Sequence, residues 1–121
     1  MGNEIRVRVE GEQRVMTNLQ AEIEQMGQDV EDVIHTYALK IARDAKRNAP
    51  VDTGRLRASI TPVLEDLAAR VIAGGAIDGA HVDYAAAQEF GTDVMPGKHY
   101  MRRALKKHKS DFQRDIRAAL S

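Results

Sequence analysis

The sequence predicts an α+β fold: a long N-terminal helix and a C-terminal helix packed on a small, mostly antiparallel β-sheet. Three observations carry this. Two stretches place apolar residues at steps of three and four, as a helix with one buried side requires. Between them lie short apolar runs bounded by turn residues. A proline turn, Ala49-Pro50-Val51-Asp52-Thr53-Gly54, separates the first helical stretch from the β-rich region.

Taken in order, Ile5, Val7 and Val9 alternate with Arg6 and Arg8, which suits a short strand that Gly11 ends. From about residue 12 to 47, Val15, Leu19, Ile23, Met26, Val30, Val33, Ile34, Tyr37, Ile41 and Ala45 trace one helical stripe. Gly27 lies within it and offers a place to bend. A rod of about 35 residues is about 50 Å long, whereas a compact domain of this size is about 35 Å across. The overhanging stripe needs cover, either by folding back at Gly27 or from a neighbouring subunit. The neighbour is the favoured cover, which makes Val15, Leu19, Ile23, Met26 and Val30 candidates for a subunit interface.

Pro50 cannot continue the helix and pushes Ala49 toward extended geometry. Beyond it, residues 56–64 and 67–73 read as two strands of an antiparallel hairpin turning near Glu65 and Asp66. Pro62 marks the first as an edge strand or the site of a bulge. The glycine-rich residues 74–79 read as a flexible connection. Residues 81–84 add a short strand, and 85–90 form a helical turn closed by Gly91. After Met95-Pro96-Gly97, a last helix covers about 100–120. Met101, Leu105, His108, Phe112, Ile116 and Leu120 lie on its apolar side, with basic residues opposite.

At 121 residues the chain fits one domain. Its core must be aliphatic, because it has no Trp, two Phe and three Tyr. The formal net charge is zero, which argues against coating nucleic acid or an acidic membrane over the whole surface. Charge is nonetheless segregated. Glu10, Glu12, Glu22, Glu24, Asp29, Glu31 and Asp32 make the first part acidic, whereas Lys98, Arg102, Arg103, Lys106, Lys107, Lys109, Arg114 and Arg117 make the last part basic. The lack of cysteine excludes a disulfide framework and thiolate chemistry. No apolar run approaches the roughly 20 residues of a membrane span, and the start lacks the apolar core of a signal peptide. A soluble intracellular product with no membrane partner is the expectation.

No catalytic, cofactor or metal site is expected. Asp78, His81 and Asp83 match no compact metal motif. Ser59 lacks a G-x-S-x-G context and an evident base. Gly74, Gly75 and Gly79 lack the Lys-Ser/Thr of a phosphate loop. Glu89-Phe90-Gly91-Thr92 is read as structural, with Phe90 in the core and Gly91 just past a helix end. His108, on an apolar stripe, is read as a hydrogen-bonded residue near the core. The cations leave more open. Arg55, Arg57, Arg102, Arg103, Lys106 and Lys109 are solvated, dock on the acidic start of a neighbour, or face DNA, whose phosphates require only positive charge.

Three segments resemble the gene-ten-like tail-component family of tailed bacteriophages, whose members are assigned to head–tail joining or tail completion. They are A-P-V-D-T-G-R-L-R-x-S-I at 49–60, Y-A-x-x-x-E-F-G-T at 84–92, and an aromatic-hydrophobic-Arg-x-Ala-Leu run at 100–105, all behind a long helix. Their order and spacing cover about 12–120. Two departures stand out: Gly97-Lys98-His99 replaces a Pro-aromatic start, and Arg103 replaces a proline. The resemblance implies a non-enzymatic virion protein without a cofactor, made in the host cytoplasm. It would form a homo-oligomeric ring at the head–tail junction or tail top, against other phage neck and tail proteins, with DNA in passing contact. The alternative class is a small nucleic-acid-binding module using the basic C-terminal helix. A metal-dependent hydrolase would need metal held near His81.

Overall fold

The computed structural model describes residues 3–10, 14–21, 27–50, 54–77, 80–82 and 85–120. The chain runs β1 (Asn3–Glu10), β2 (Arg14–Ala21), α1 (Gln28–Asn48), α2 (Arg55–Ser59), β3 (Thr61–Glu65), β4 (Ala68–Ala73), β5 (Gly75–Ile77) and β6 (Ala80–Val82). It continues with α3 (Ala85–Phe90), β7 (Gly91–Thr92), β8 (Met95–Pro96) and α4 (Tyr100–Leu120). Among the described residues, β1 to β4 form one antiparallel sheet in the order β1-β2-β4-β3. α1 packs on α4 and on β2, β3 and β4, while α4 reaches β1 and β2. The architecture is the expected α+β layering of two helices on a small antiparallel sheet.

The first helix is shorter than the sequence reading had it. Residues 14–21 pair as a strand with β1, from Glu10 opposite Arg14 to Asn3 opposite Ala21. α1 begins only at Gln28, with Gly27 as its N-cap in extended geometry. Its 21 residues make a rod of about 32 Å rather than about 50 Å, so the expected overhang does not exist. The physical reason is that Val15 and Leu19 stand four apart, an even step that strand alternation satisfies as well as a helix does. The far end of α1 is as expected: the helix stops at Asn48, and Ala49 before Pro50 is extended at φ −70, ψ 144.

α1 and α4 run antiparallel, and their seam contains most of the core. Asn48 Nδ2 donates to Tyr100 O at 3.2 Å at one end, and Tyr37 Oη donates to Asp115 Oδ2 at 2.5 Å toward the other. Val30, Ile34, Tyr37, Ala38, Ile41, Ala42 and Ala45 of α1 are buried against Tyr100, Met101, Ala104, Leu105, Phe112 and Ile116 of α4. Full burial stabilises each large apolar side chain by about 1.5–3 kcal/mol. Tyr37 sits at the centre, edge-on to Phe112 at 5.6 Å and to His108 at 6.1 Å. Leu120, placed on the apolar stripe by its spacing, is 45% exposed, while its neighbour Ala119 packs partly buried against the core.

The β-rich region departs from expectation in two places. Residues 55–59 form a helical turn, α2, entered through Gly54 at φ 73. Leu56 and Ile60 stand four apart and both are buried, again a step that either period fits. Ser59 Oγ donates to Leu56 O at 2.7 Å and accepts from Gly74 N at 2.9 Å, so this hydroxyl stitches α2 to the end of β4. Gly75–Ile77 is a strand where a flexible connection was expected: β5 and β6 pair antiparallel, with Ile77 opposite Ala80. The β3–β4 hairpin turns at Asp66 and Leu67, with Leu67 at φ 58. Pro62 lies on β3, an edge strand, opposite Val71.

Candidate assembly surfaces

α4 begins where the chain offers no Ser, Thr, Asp or Asn to cap it. Gly97-Lys98-His99 precede Tyr100, and the first turn carries no acid. A helix start leaves several backbone amides needing acceptors. Glu89, at the end of α3, supplies them: Oε1 accepts from Met101 N at 2.7 Å and Oε2 from Arg102 N at 3.0 Å. The same residue's carbonyl accepts from His99 N at 3.1 Å, and Gln88 O accepts from Lys98 N at 2.6 Å. Glu89 is wholly buried. Burial pushes its carboxyl above the usual range, although the two amides and the nearby charges of His99 and Arg102 favour the ionised form.

Gly97 lets the two segments meet this closely. A Cβ there would stand 2.6 Å from Glu89 O and 2.6 Å from Phe90 C. Gly91, at φ 85, ends α3 in the left-handed conformation expected of a residue just past a helix. Phe90 does not join the core; it is 47% exposed, and Glu89 takes the inward position instead. The structural role read for this motif stands, but the two side chains exchange places. The missed signal is the uncapped start of α4 eleven residues after a lone carboxylate.

Phe90 and Leu105 floor an open groove of about 420 Å³ between α3 and α4, with Glu89 at its base and Arg102, Lys106 and Lys109 on its rim. The rim residues follow one another at steps of four and three, so they share one side of α4. Arg103 is not among them. Its Nε donates to Lys98 O at 3.0 Å and its Nη2 to Asn48 O at 3.2 Å, tying the end of α1 to the start of α4. The basic character of α4 is thus split between a groove rim and a structural side.

On that second side Asp44 is buried and receives His108 Nε2 at 2.5 Å, Arg43 Nε at 3.1 Å, Lys107 Nζ at 3.4 Å and Arg47 Nη1 at 3.7 Å. Burial alone would raise its carboxyl. The hydrogen bonds from Arg43 and His108 and the surrounding positive charge outweigh that and hold it well below the usual carboxylate range. His108 is therefore the hydrogen-bonded near-core residue its position predicts.

The other candidates are scattered. Val30 is 2% exposed and enclosed by its own protomer, while Val15 and Leu19 lie on β2. Ile23 and Met26 fall outside the described residues, as do the Asp52-Thr53 part of the proline turn, Asp78 and Asp83. Arg55 is exposed on α2, and Arg57 beside it is half-buried. Among the described residues no group of three or more His, Cys, Asp or Glu could hold a metal, and no helix is long and apolar enough to cross a membrane.

The family model described as bacteriophage HK97-gp10, putative tail-component, matches residues 13–91, more than half of the chain. The chain belongs to this family. No curated protein and no solved structure matches it. The match runs from β2 to the Glu89-Phe90-Gly91 corner, so the proline turn and the carboxylate that caps α4 both lie within it. As a phage tail component the protein is a structural part of the virion, placed among other phage structural proteins.

Proposed function

We propose that this tail component is a ring-forming connector at the head–tail junction or tail top, where it completes the tail and joins it to the head. Residues 1–121 would act as a single neck or tail-completion domain, assembled in the host cytoplasm and without catalysis. The family match over residues 13–91 carries this reading. Its support in the fold is a pair of unlike surfaces. The groove between α3 and α4 is rimmed by cations, whereas Asp29 and Asp32 are exposed at the start of α1, beside the exposed Glu65 and Asp66. Closed rings use heterologous interfaces, in which two different patches of each subunit meet.

Co-expression with the neck and tail proteins of its own phage, followed by electron microscopy, tests the proposal. Rings of this chain at one end of the tail are expected. Its absence from assembled particles, or a monomer throughout, would remove the connector role.

The rim of Arg102, Lys106 and Lys109 favours one second reading, a nucleic-acid-binding module. Titration with duplex DNA at rising salt separates the two. Three phosphate contacts would give a log–log salt slope of roughly −3. No binding near physiological salt removes this reading.

A further inference from the structure

We infer that the acidic tip of the β3–β4 hairpin of one copy seats in the basic-rimmed groove between α3 and α4 of the next, so that the chain associates head to tail. The inference rests on the ring-forming reading and names the two surfaces that would build it.

The groove combines an apolar floor with a cationic rim. Nearly half of Phe90 is open to solvent there, with Leu105 beneath it. Among the described residues no carboxylate forms an ion pair with Lys106 or Lys109, and Glu89 spends its oxygens on backbone amides. A volume of about 420 Å³ lies within the roughly 300–1,000 Å³ of clefts that take a ligand or several side chains.

The hairpin tip presents the complement. Leu64 is 45% exposed, and the exposed Glu65 and Asp66 follow it. The tip is fixed to the start of α1, since Leu67 N donates to Glu31 Oε2 at 3.0 Å and His35 Nε2 donates to Glu65 O at 2.7 Å. That adds the exposed Asp29 and Asp32 to the same end of the molecule. Glu65 is partly neutralised by Arg70 at 3.1 Å, so Asp66, Asp29 and Asp32 carry the net charge.

Position decides between a self-contact and a contact with a neighbour. The tip is bound to the first turns of α1. The groove is built on the start of α4, which is bonded to the last turn of α1. About 25 Å of helix separates those turns, so the tip does not serve its own groove. A two-fold dimer through either surface would set like charges together, whereas tip into groove pairs unlike ones. That contact is heterologous and repeats until it closes. Exposed ion pairs contribute little individually, so they orient the contact while Leu64 on Phe90 and Leu105 supplies its affinity. A phosphate backbone would engage the rim and leave the apolar floor wet.

The test is sedimentation velocity on the purified full chain at rising concentration and at low and high salt, with circular dichroism as the folding check. The wild type is expected to form oligomers that weaken as salt screens the rim. Leu64→Asp, which spoils the tip, and Phe90→Glu, which spoils the groove, should each weaken association about tenfold or more, the scale of removing one interface anchor. Equimolar mixing of the two folded variants should restore one good junction per pair and stop at heterodimers. Oligomers unaffected by both substitutions, a mixture without heterodimers, or a wild type still monomeric near about 1 mM would overturn the pairing. Displacement of the oligomer by duplex DNA at physiological salt would do the same. Rings that form with the phage's own neck proteins and survive both substitutions would overturn the pairing alone; failure to form any ring there would overturn the connector reading itself.

Discussion

His108 and Asp44 meet 2.5 Å apart in the seam between α4 and α1, both buried, with the imidazole Nε2 on the carboxylate Oδ2. An ionised carboxylate can only accept, so Nε2–H donates. Three cations from the surface, Arg43, Arg47 and Lys107, converge on the same group. One acid thereby organises the polar side of an otherwise apolar helix pair.

Asp44→Asn should therefore be costly. It leaves His108 facing an amide and three cations without their counter-charge, a loss of about 3 kcal/mol in urea unfolding. The pH dependence has a definite sign. The folded pKa of Asp44 lies below its ordinary 3.8, so its stabilisation is fully present above about pH 4 and is lost as pH falls further. The thermal midpoint of the wild type should fall on acidification below about pH 4, and that of the variant should fall less.

Gly97→Ala tests the fit between the loop before α4 and the end of α3. The added methyl would stand 2.6 Å from Glu89 O and 2.8 Å from Gly91 N, both backbone atoms that cannot step aside alone. A loss of about 1–3 kcal/mol is expected. Gly27→Ala is the control, since nothing lies within 4 Å of the added atom. Equal denaturation midpoints for the two variants would disprove the close approach.

Glu89→Gln keeps the shape of the cap but turns an amide donor toward one of two backbone donors. The unsatisfied pair should cost about 1–3 kcal/mol. Amide hydrogen exchange should accelerate first at Met101 and Arg102, where the bonds are lost. Uniform acceleration along α4 would contradict a local capping role.

Tyr37→Phe removes the hydroxyl bonded to Asp115 and leaves the ring contacts with Phe112 and His108 in place. About 1 kcal/mol of destabilisation is expected. Burial, followed by the bond and charge of Asp115, pushes the Tyr37 hydroxyl up to about 12 from 10.0. A raised folded pKa means its stabilisation is present below about pH 10 and is lost between there and pH 12. The alkaline loss of stability should shrink in the variant, as read by circular dichroism.

What the sequence made legible follows from which periods are unambiguous. α4 and the body of α1 mix steps of three and four, which no strand reproduces, and both were readable, as were His108 and the end at Ala49. Val15 to Leu19 and Leu56 to Ile60 use steps of four alone, and there β2 and α2 were exchanged for the wrong element. Pairing with β1 and with β4 decides the first case, and β4 lies far outside any local window. Glu89 was recognisable as structural but its partner was not, because the amides it caps belong to another element. The groove on Phe90 was hidden for the same reason. An aromatic beside a carboxylate reads as core until the fold reveals which of the two turns inward.

Pro62 on the outermost strand also bears on how copies of this protein can meet. Because proline has no amide N–H to offer, its place on that flank disfavours addition of a second molecule by main-chain bonding. Any joining along this flank is thus left to side chains, whose shape and sign can select the correct mate.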